Sequence, residues 1–438
     1  MSLKTKIKTR FPGFVDFTHK VRGVLAYYIY GRPSKRMRVI GITGTNGKTT
    51  TCHLVTKILE ESNERVGMLS TTTFKIGAKD WINKTNMTTM SPFAIQKMLK
   101  QMLDAGCTYV VMETSSHAID QHRIWGIRFY AVGMTNVTHE HLDYHKTFND
   151  YLETKVKLFS LRPRVAVANA DDENFEKFLQ FSAGRHLTYS QTKRADITAR
   201  KILPSASGSI FTLVTPTVQI TIDFNLTGLF NISNALCAAA ICYGMGIEPG
   251  FIKSGLQAVK NIPGRLEKVE MGQDFTVMID YAVTPDSLEK LYTTLKPGVR
   301  GKMIAVLGSC GDRDKTKRPI MGSVAGHFND IVIVTDEEPY TEDPAVIIEQ
   351  VAAGVERGKK GKKMRPDEDY FKISDRREGI KKALTFARRG DLVIITGMGA
   401  QEFRVVGNKK FPWNERKVIE EELGKLGYNK GVHKVKSS

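Results

Sequence analysis

Val39-Ile-Gly-Ile-Thr-Gly-Thr-Asn-Gly-Lys-Thr-Thr50 joins a short apolar run to a turn of small residues, then to helical spacing that continues through Glu61. A glycine-rich turn that leaves a strand and opens a helix lets backbone N–H groups converge on phosphate oxygens. The helix N-terminus adds partial positive charge there. Gly44, Thr45, Asn46 and Gly47 would form the cradle, Lys48 would reach the β- and γ-phosphates, and Thr49 or Thr50 would hold Mg2+. The spacing is G-x-x-G-x-x-G-K-T rather than G-x4-G-K-[ST], because position 42 is Ile42. Strand, glycines and helix agree, and the reading is a nucleoside-triphosphate site on an α/β fold.

The rest of the chain extends this pattern. Thr108–Met112, Tyr130–Met134 and Arg164–Ala168 read as further strands, and Pro92–Ala105 as a helix with Ile95, Met98, Leu99 and Met102 on one face. Residues 196–228 alternate β-branched and polar side chains and predict a small antiparallel meander, followed by an alanine-rich helix over Asn231–Tyr243. After the Ile262-Pro-Gly264 turn a second α/β unit begins, with strands expected at Thr276–Asp280, Met303–Leu307, Ile331–Thr335 and Leu392–Thr396. The expected fold class is α/β: a central phosphate-loop domain on a mostly parallel sheet, and a C-terminal Rossmann-like domain. The expected divisions are a basic segment 1–37, a central domain 38–262 and a C-terminal domain 263–438.

Composition bounds the function. The 438 residues are 41% hydrophobic and 25% charged, ordinary for a folded globular chain. Five scattered cysteines without a C-x-x-C pair speak against a disulfide scaffold or zinc ribbon and for a reducing cytoplasm. No signal peptide or spanning apolar run is visible. The net charge is +19, and residues 1–40 carry ten Lys/Arg against Asp16 alone, a net +9. Phe14, Phe17, Val21, Val24, Leu25 and Tyr28 have helical spacing there, predicting one amphipathic helix that packs on the central domain or lies on a membrane surface. No basic strand with interleaved aromatics accompanies this charge, so nucleic acid is not an expected partner.

Polar residues follow the strands. Glu113 directly follows the run TYVVM, at the carboxyl end where α/β sheets bind ligands, and is a candidate Mg2+ ligand. Thr135-Asn-Val-Thr-His-Glu-His-Leu-Asp-Tyr-His145 is dense in side chains able to hold metal. Its spacing misses the H-x-H-x-D-H of zinc hydrolases by one residue. Lys155, within Tyr151-Leu-Glu-Thr-Lys155, sits on a helix, and spacing alone reads it as solvated.

GITGTNGKTTT, METSSHAIDQHR, TNVTHEHLDYH, YLETK, IPGRLE with IDYAVTPD, and GSCGDRDKTKRP occur in this order between about Val39 and Leu423. In these segments the chain resembles the Mur ligases, and within them the synthetases that add the third residue of the peptidoglycan stem peptide. The resemblance implies an enzyme that binds ATP where its central and C-terminal domains meet. It phosphorylates a UDP-muramoyl-peptide carboxylate and couples the acyl phosphate to a free amino acid. It implies catalytic roles for Lys48, Glu113, His141 and Lys155. One Mg2+ would sit on Thr49 and Glu113, a second near His141, with Lys155 carbamylated by CO2. Thr88, Thr89, Ser115, Gln121 and Arg123 would hold the muramoyl substrate, while Asn136, Asn234, Arg265 and Asp280 would line the ATP site. A cytoplasmic monomer is implied, with peripheral membrane contact an open alternative.

Three departures mark this chain. About forty residues precede the phosphate loop, where the family usually carries a uridine-binding domain of roughly a hundred. The Asp-Asn-Pro-Arg motif of diaminopimelate-adding members is here Glu337-Glu338-Pro339-Tyr340, without the arginine that pairs the distal carboxylate. Two carboxylates favour a cationic amino acid, lysine or ornithine, and Arg313 remains for the α-carboxylate. The Gly-Lys-Gly-His-Glu motif is replaced by Gly397-Met-Gly-Ala-Gln401 with Glu402 following, and Asp-Tyr-Ala-His by Asp280-Tyr-Ala-Val283. Alternatives are a related ligase on a pseudomurein, polyglutamate or cyanophycin acceptor, or a basic phosphate-loop protein without ligase chemistry.

Overall fold

A computed structural model describes residues 12–429 apart from 86, 139, 141, 206–207 and 358–362. The chain forms two compact units, Met1–Lys260 and Asn261–Ser438, dividing beside the Ile262-Pro-Gly264 turn.

In the first unit eleven strands form one sheet: β1 (Arg38–Thr43), β2 (Val66–Leu69), β3 (Thr73–Ile76), β4 (Lys79–Ile82), β5 (Tyr109–Glu113), β6 (Phe129–Met134), β7 (Val165–Asn169), β8 (Arg185–Ser190), β9 (Ile197–Ser205), β10 (Gly208–Val214) and β11 (Gln219–Phe224). Their order is β11-β10-β9-β8-β7-β6-β1-β5-β2-β3-β4. The seven strands from β9 to β2 run parallel, and antiparallel strands close both edges. β1 lies between β5 and β6, so the chain leaves it toward one side and later returns to the other. That reversal opens a crevice at the carboxyl ends of β1, β5 and β6. The central parallel strands β1, β2, β5, β6 and β7 are buried on both faces because helices cover both, whereas β8 and β9 keep exposed polar residues. Val39, Val110, Met112, Val132 and Met134 pack with Ile95, Leu99 and Met102 of the helix Pro92–Asp104 in one core cluster.

The meander expected at 196–228 exists as β9–β11, but it continues the main sheet. Tyr189 and Ser190 of β8 pair in parallel with Ile197 and Thr198 of β9. The four-residue strands β2, β3 and β4 carried too few residues to show a period in the sequence, and β8, RHLTYS, is too polar to form an apolar run.

The N-terminal helix spans Pro12–Ile29. It packs on the first unit through Gly23, Ala26 and Tyr27, not through the face that helical spacing singled out. The Tyr27 ring meets Trp125 edge to face at 5.5 Å, and Asp16 Oδ1 lies 3.0 Å from His122 Nε2. Gly23 is required by close approach: a Cβ there would stand 2.7 Å from the His122 carbonyl oxygen. Of the six apolar residues expected to pack on the central domain or to lie on a membrane surface, Val24 is half-buried and the other five are exposed. A sequence moment finds that an apolar face exists; the shape of the surface beneath decides which face is used.

The second unit has β12 (Glu267–Lys268), β13 (Thr276–Asp280), β14 (Met303–Leu307), β15 (Ile331–Thr335), β16 (Tyr370–Ile373) and β17 (Leu392–Thr396) in the order β12-β13-β17-β14-β15-β16, parallel except for β12. Side chains alternate between two cores. Met303, Ala305 and Leu307 join Val332, Val334, Leu392 and Ile394 on one face. Ile304 and Val306 join Ile331, Ile333, Val393 and Ile395 on the other. A separate hairpin, β18 (Phe403–Val406) with β19 (Lys409–Pro412), follows β17.

Candidate active site

The phosphate loop leaves β1 and enters the helix Lys48–Glu61. Gly47 caps that helix at φ 86°, a left-handed conformation that L side chains avoid, and a Cβ there would run into the Asn234 side chain. The loop is clipped to the segment after β6. Asn46 N donates to Asn136 Oδ1 at 3.0 Å, Asn136 Nδ2 returns a bond to the Asn46 carbonyl at 3.1 Å, and Thr135 Oγ1 donates to the same carbonyl at 2.6 Å. The Thr45 hydroxyl lies 3.0 Å from Tyr151 OH and accepts from Thr138 N at 3.0 Å. Thr49 and Thr50 are buried in the first helical turn. Gly44 to Thr50, Asn136 and Asn234 therefore form one cluster.

Two lysines converge on this loop. Lys48 Nζ donates to the carbonyl oxygens of Gly44 at 2.8 Å and Thr45 at 2.6 Å. Lys155 Nζ, from the helix Phe148–Val156, donates to the same Gly44 oxygen at 2.8 Å and lies 4.4 Å from the Tyr151 ring centre. Lys155 is 1% exposed, so its helical face turns inward, contrary to the solvated reading of its spacing. Burial, then the charge of Lys48, holds its amine well below the usual lysine range, while Glu140 opposes them.

Glu113 ends β5 in register with Ile42 of β1, beside the start of the loop. Its carboxylate is 1% exposed and accepts from Thr71 N at 2.6 Å and Thr71 Oγ1 at 2.9 Å. Thr71 Oγ1 is 3.2 Å from Thr88 Oγ1, and Thr89 Oγ1 donates to the Glu113 carbonyl at 3.0 Å while accepting from Ser115 N at 3.1 Å. Arg123 donates to the Thr89 carbonyl at 2.7 Å and to Gln121 Oε1 at 2.9 Å. Gln121 reaches Tyr144 OH at 3.1 Å. Thr88, Thr89, Ser115, Gln121 and Arg123, scattered over 36 positions, thus surround one strand end. His139 and His141 lie outside the described residues; among those described, no group of three His, Cys, Asp or Glu could hold a metal ion. Oxygen donors fitting Mg2+ are nonetheless at hand in Thr49 and Glu113.

In the second unit Asp280, at the end of β13, accepts from Leu266 N at 2.8 Å and so fixes the loop that carries Arg265. Desolvation raises the Asp280 carboxyl, and Arg265 opposes that rise. The Arg265 guanidinium lies over the Tyr281 ring at 4.8 Å. After β15, Glu337 and Glu338 are buried. Glu337 Oε1 accepts from Cys310 Sγ at 3.0 Å, while its Oε2 has no hydrogen-bond partner among the described residues. Glu338 Oε1 accepts from Val405 N at 3.2 Å; burial, then the Glu337 charge, pushes its carboxyl up to about 7. Arg313 is exposed and stacks over Tyr340 at 5.4 Å. Gln401 Nε2 lies 3.5 Å from Tyr281 OH, and the Glu402 carbonyl accepts from Trp413 N at 2.9 Å.

Two arginines here went unmarked in the sequence. Arg404, on β18, pairs with Asp336 and donates to the Glu337 carbonyl at 3.0 Å, so the hairpin holds the acidic loop. Arg318 is fully buried and grips Glu342 with both terminal nitrogens, at 2.9 and 3.0 Å, and the Cys310 carbonyl at 3.0 Å. Their partners lie 24 and 68 positions away, a distance no local pattern reports.

Comparison with known proteins agrees with this architecture. Residues 42–242 match the Mur ligase middle domain and residues 264–399 the Mur ligase, glutamate ligase domain. A UDP-N-acetylmuramyl-tripeptide synthetase of Roseiflexus sp. (strain RS-1) is 39% identical over 420 residues, covering 92% of this chain and 82% of that protein. A UDP-N-acetylmuramoyl-L-alanyl-D-glutamate--2,6-diaminopimelate ligase of Aquifex aeolicus is 39% identical over 412 residues, covering 94% and 82%. Among solved structures, a ligase of that second name superposes with a TM-score of 0.64 at 28% identity, covering 94% of this chain and 84% of the other. The folylpolyglutamate synthase of Mycobacterium tuberculosis, at a TM-score of 0.70 and 18% identity over 86% and 91%, shares the fold. With both family domains matched in order and the phosphate-loop cluster carried by the first of them, this chain is a member of the Mur ligase family.

Proposed function

We propose that the protein is an ATP-dependent amide ligase that adds a free amino acid to a UDP-N-acetylmuramoyl-dipeptide in peptidoglycan synthesis. One observation carries the reading: Lys48 and Lys155 both donate to the Gly44 carbonyl. A plain phosphate-loop ATPase has use for the first lysine only. Burial favours the neutral amine at Lys155, the form that adds CO2. The neutral amine forms a new N–C bond to CO2 and its nitrogen gives up one proton, leaving a carbamate anion; counted from the ammonium form, two protons are lost. That group, with Thr49 and Glu113, gives the hard oxygen donors Mg2+ prefers, and Mg2+ when bound neutralises phosphate charge during transfer. The second Mg2+ assigned to His141 rests on the family resemblance alone.

Lys48 is poised to donate to the transferred phosphoryl oxygens. The substrate carboxylate attacks the γ-phosphorus and ADP departs. The amino-acid amine then attacks the acyl carbon, loses a proton, and inorganic phosphate leaves. Thr88, Thr89, Ser115, Gln121 and Arg123 would hold the muramoyl-peptide; Arg265 and Asp280 would serve the nucleotide. Glu337 Oε2, without a hydrogen-bond partner among the described residues, and the raised Glu338 favour an amino acid whose side-chain cation completes them, lysine or ornithine. A reaction on ATP and a nucleotide-linked sugar fits the cytoplasm, and the family resemblance implies a monomer.

The test is phosphate release from ATP and Mg2+ with UDP-N-acetylmuramoyl-L-Ala-D-Glu, scanning lysine, ornithine, diaminopimelate and neutral amino acids, with mass spectrometry of the product. Release that needs both substrates and is strongest with lysine or ornithine is expected. Preference for diaminopimelate would overturn the selectivity assignment and keep the reaction. No product with any amino acid would send the search to pseudomurein or polyglutamate acceptors.

A further inference from the structure

The helix Pro12–Ile29 has a second apolar face that no other described element covers. Phe14, Phe17, Val21, Leu25, Tyr28 and Ile29 are between 37% and 65% exposed. At about 100° per residue these six fall within an arc of about 120°, opposite the Gly23, Ala26 and Tyr27 face that packs on the first unit. A helix serving only to cover the domain would carry polar side chains on that arc. Scattered exposed apolar residues are ordinary; six in one stripe are not.

The charges around the stripe identify what it meets. Lys20 and Arg22, both exposed, flank the arc on its two sides. Exposed Arg32, Lys35 and Arg36 follow the helix, and the Arg32 guanidinium rests 5.6 Å from the Tyr28 ring. Asp16, the sole acid among the first forty residues, pairs with His122 on the packed side. The outward surface of the helix is therefore apolar along its centre and cationic along its margins. A second copy meeting it stripe to stripe would set these like charges together. Nucleic acid would answer the charges and leave the aromatic and aliphatic side chains in water. A bilayer with anionic headgroups satisfies both, apolar side chains entering the acyl boundary and basic ones meeting phosphate. Among the described residues no helix is long and apolar enough to cross a membrane, as an in-plane helix requires.

We propose that this face of Pro12–Ile29 binds the surface of an anionic phospholipid bilayer, with the helix lying in the membrane plane. The assignment is independent of which amino acid the enzyme adds. Its test is co-sedimentation of the full chain with phosphatidylcholine vesicles, with and without phosphatidylglycerol. Binding at least about tenfold stronger to the anionic vesicles is expected, weakening as salt rises. The double variant Phe17→Glu/Leu25→Glu is expected to lose that binding while its melting temperature and ATP turnover stay unchanged. Phe17→Trp is expected to show a blue-shifted emission on anionic vesicles, which surface adsorption by charge alone would not produce. Equal binding by wild type and the double variant would overturn the proposal. So would an absence of vesicle binding joined to dimerisation that the double variant abolishes, or duplex DNA binding that competes with the vesicles.

Discussion

Lys155 shows how far a residue's role can depart from its local sequence. Folding buries its amine against Gly44 and Lys48, so the folded state binds fewer protons than the unfolded chain. The sign follows: its burial opposes folding near neutral pH, and the opposition fades as pH rises toward the ordinary lysine value. Lys155→Met is expected to raise the melting temperature in CO2-depleted buffer by a few degrees, about 1–2 kcal/mol, while lowering ligase turnover about 10²-fold or more. Calorimetry with a phosphate-release assay checks both. Glu338 titrates with the opposite sense. Its carboxyl is raised to about 7 in the folded state, so its contribution favours folding at low pH and is lost as pH climbs from about 4.5 to 7. Glu338→Gln is expected to flatten that slope and to raise the KM for lysine about tenfold, by the loss of a charged partner. Melting curves at pH 5 and 8 and initial rates decide it. Calorimetric titration of the wild type near pH 7 should also show proton release as a cationic amino acid binds.

At the scale of elements, the loop between β14 and the helix Lys317–Phe328 is built around one fully buried guanidinium. Glu342 gives Arg318 two oxygens, also accepts from Lys315 at 2.9 Å, and takes Asp312 N at 2.7 Å. Removing that carboxylate strands a buried charge, and Glu342→Ala is expected to cost about 3 kcal/mol, read from urea denaturation. Its effect on KM for the amino acid should exceed its effect on KM for ATP, because the loop carries Cys310 and Arg313 rather than the phosphate cradle. The four strands expected in the second unit occur at the residues the apolar runs marked, since a strand buried on both faces advertises itself as an unbroken run. The antiparallel strands β3, β4, β18 and β19 have no such runs, being short and partly solvated.

At the scale of the molecule, each unit has a sheet covered on both faces by its own chain. In the second unit both cores draw only on residues beyond 260. Residues 261–438 expressed alone are therefore expected to fold cooperatively, with a single thermal transition and dispersed amide resonances. Loss of structure in that fragment would mean that its cores need the first unit. The net charge of +19 is unevenly spread, and the N-terminal helix holds its share on a surface that the phosphate loop does not use.

The α/β class, the phosphate loop and its helix, and most buried strands are legible in the amino-acid order, because these rest on contacts within a few residues and on apolar periodicity. Glycine at position 47 and lysine at position 48 are legible for the same reason: backbone conformation and helix polarity are local. The tertiary structure decided the rest. It turned Lys155 inward, against the solvated reading of its spacing, and gathered at one strand end Thr88, Thr89, Ser115, Gln121 and Arg123, which in the sequence only the family resemblance groups. It also selected the Gly23–Tyr27 face of the first helix for packing and used Arg318 and Arg404 to hold loops far away in the chain. These are choices among faces and partners that the local pattern leaves equal, and they are resolved by shape complementarity and desolvation between segments that meet only in the fold.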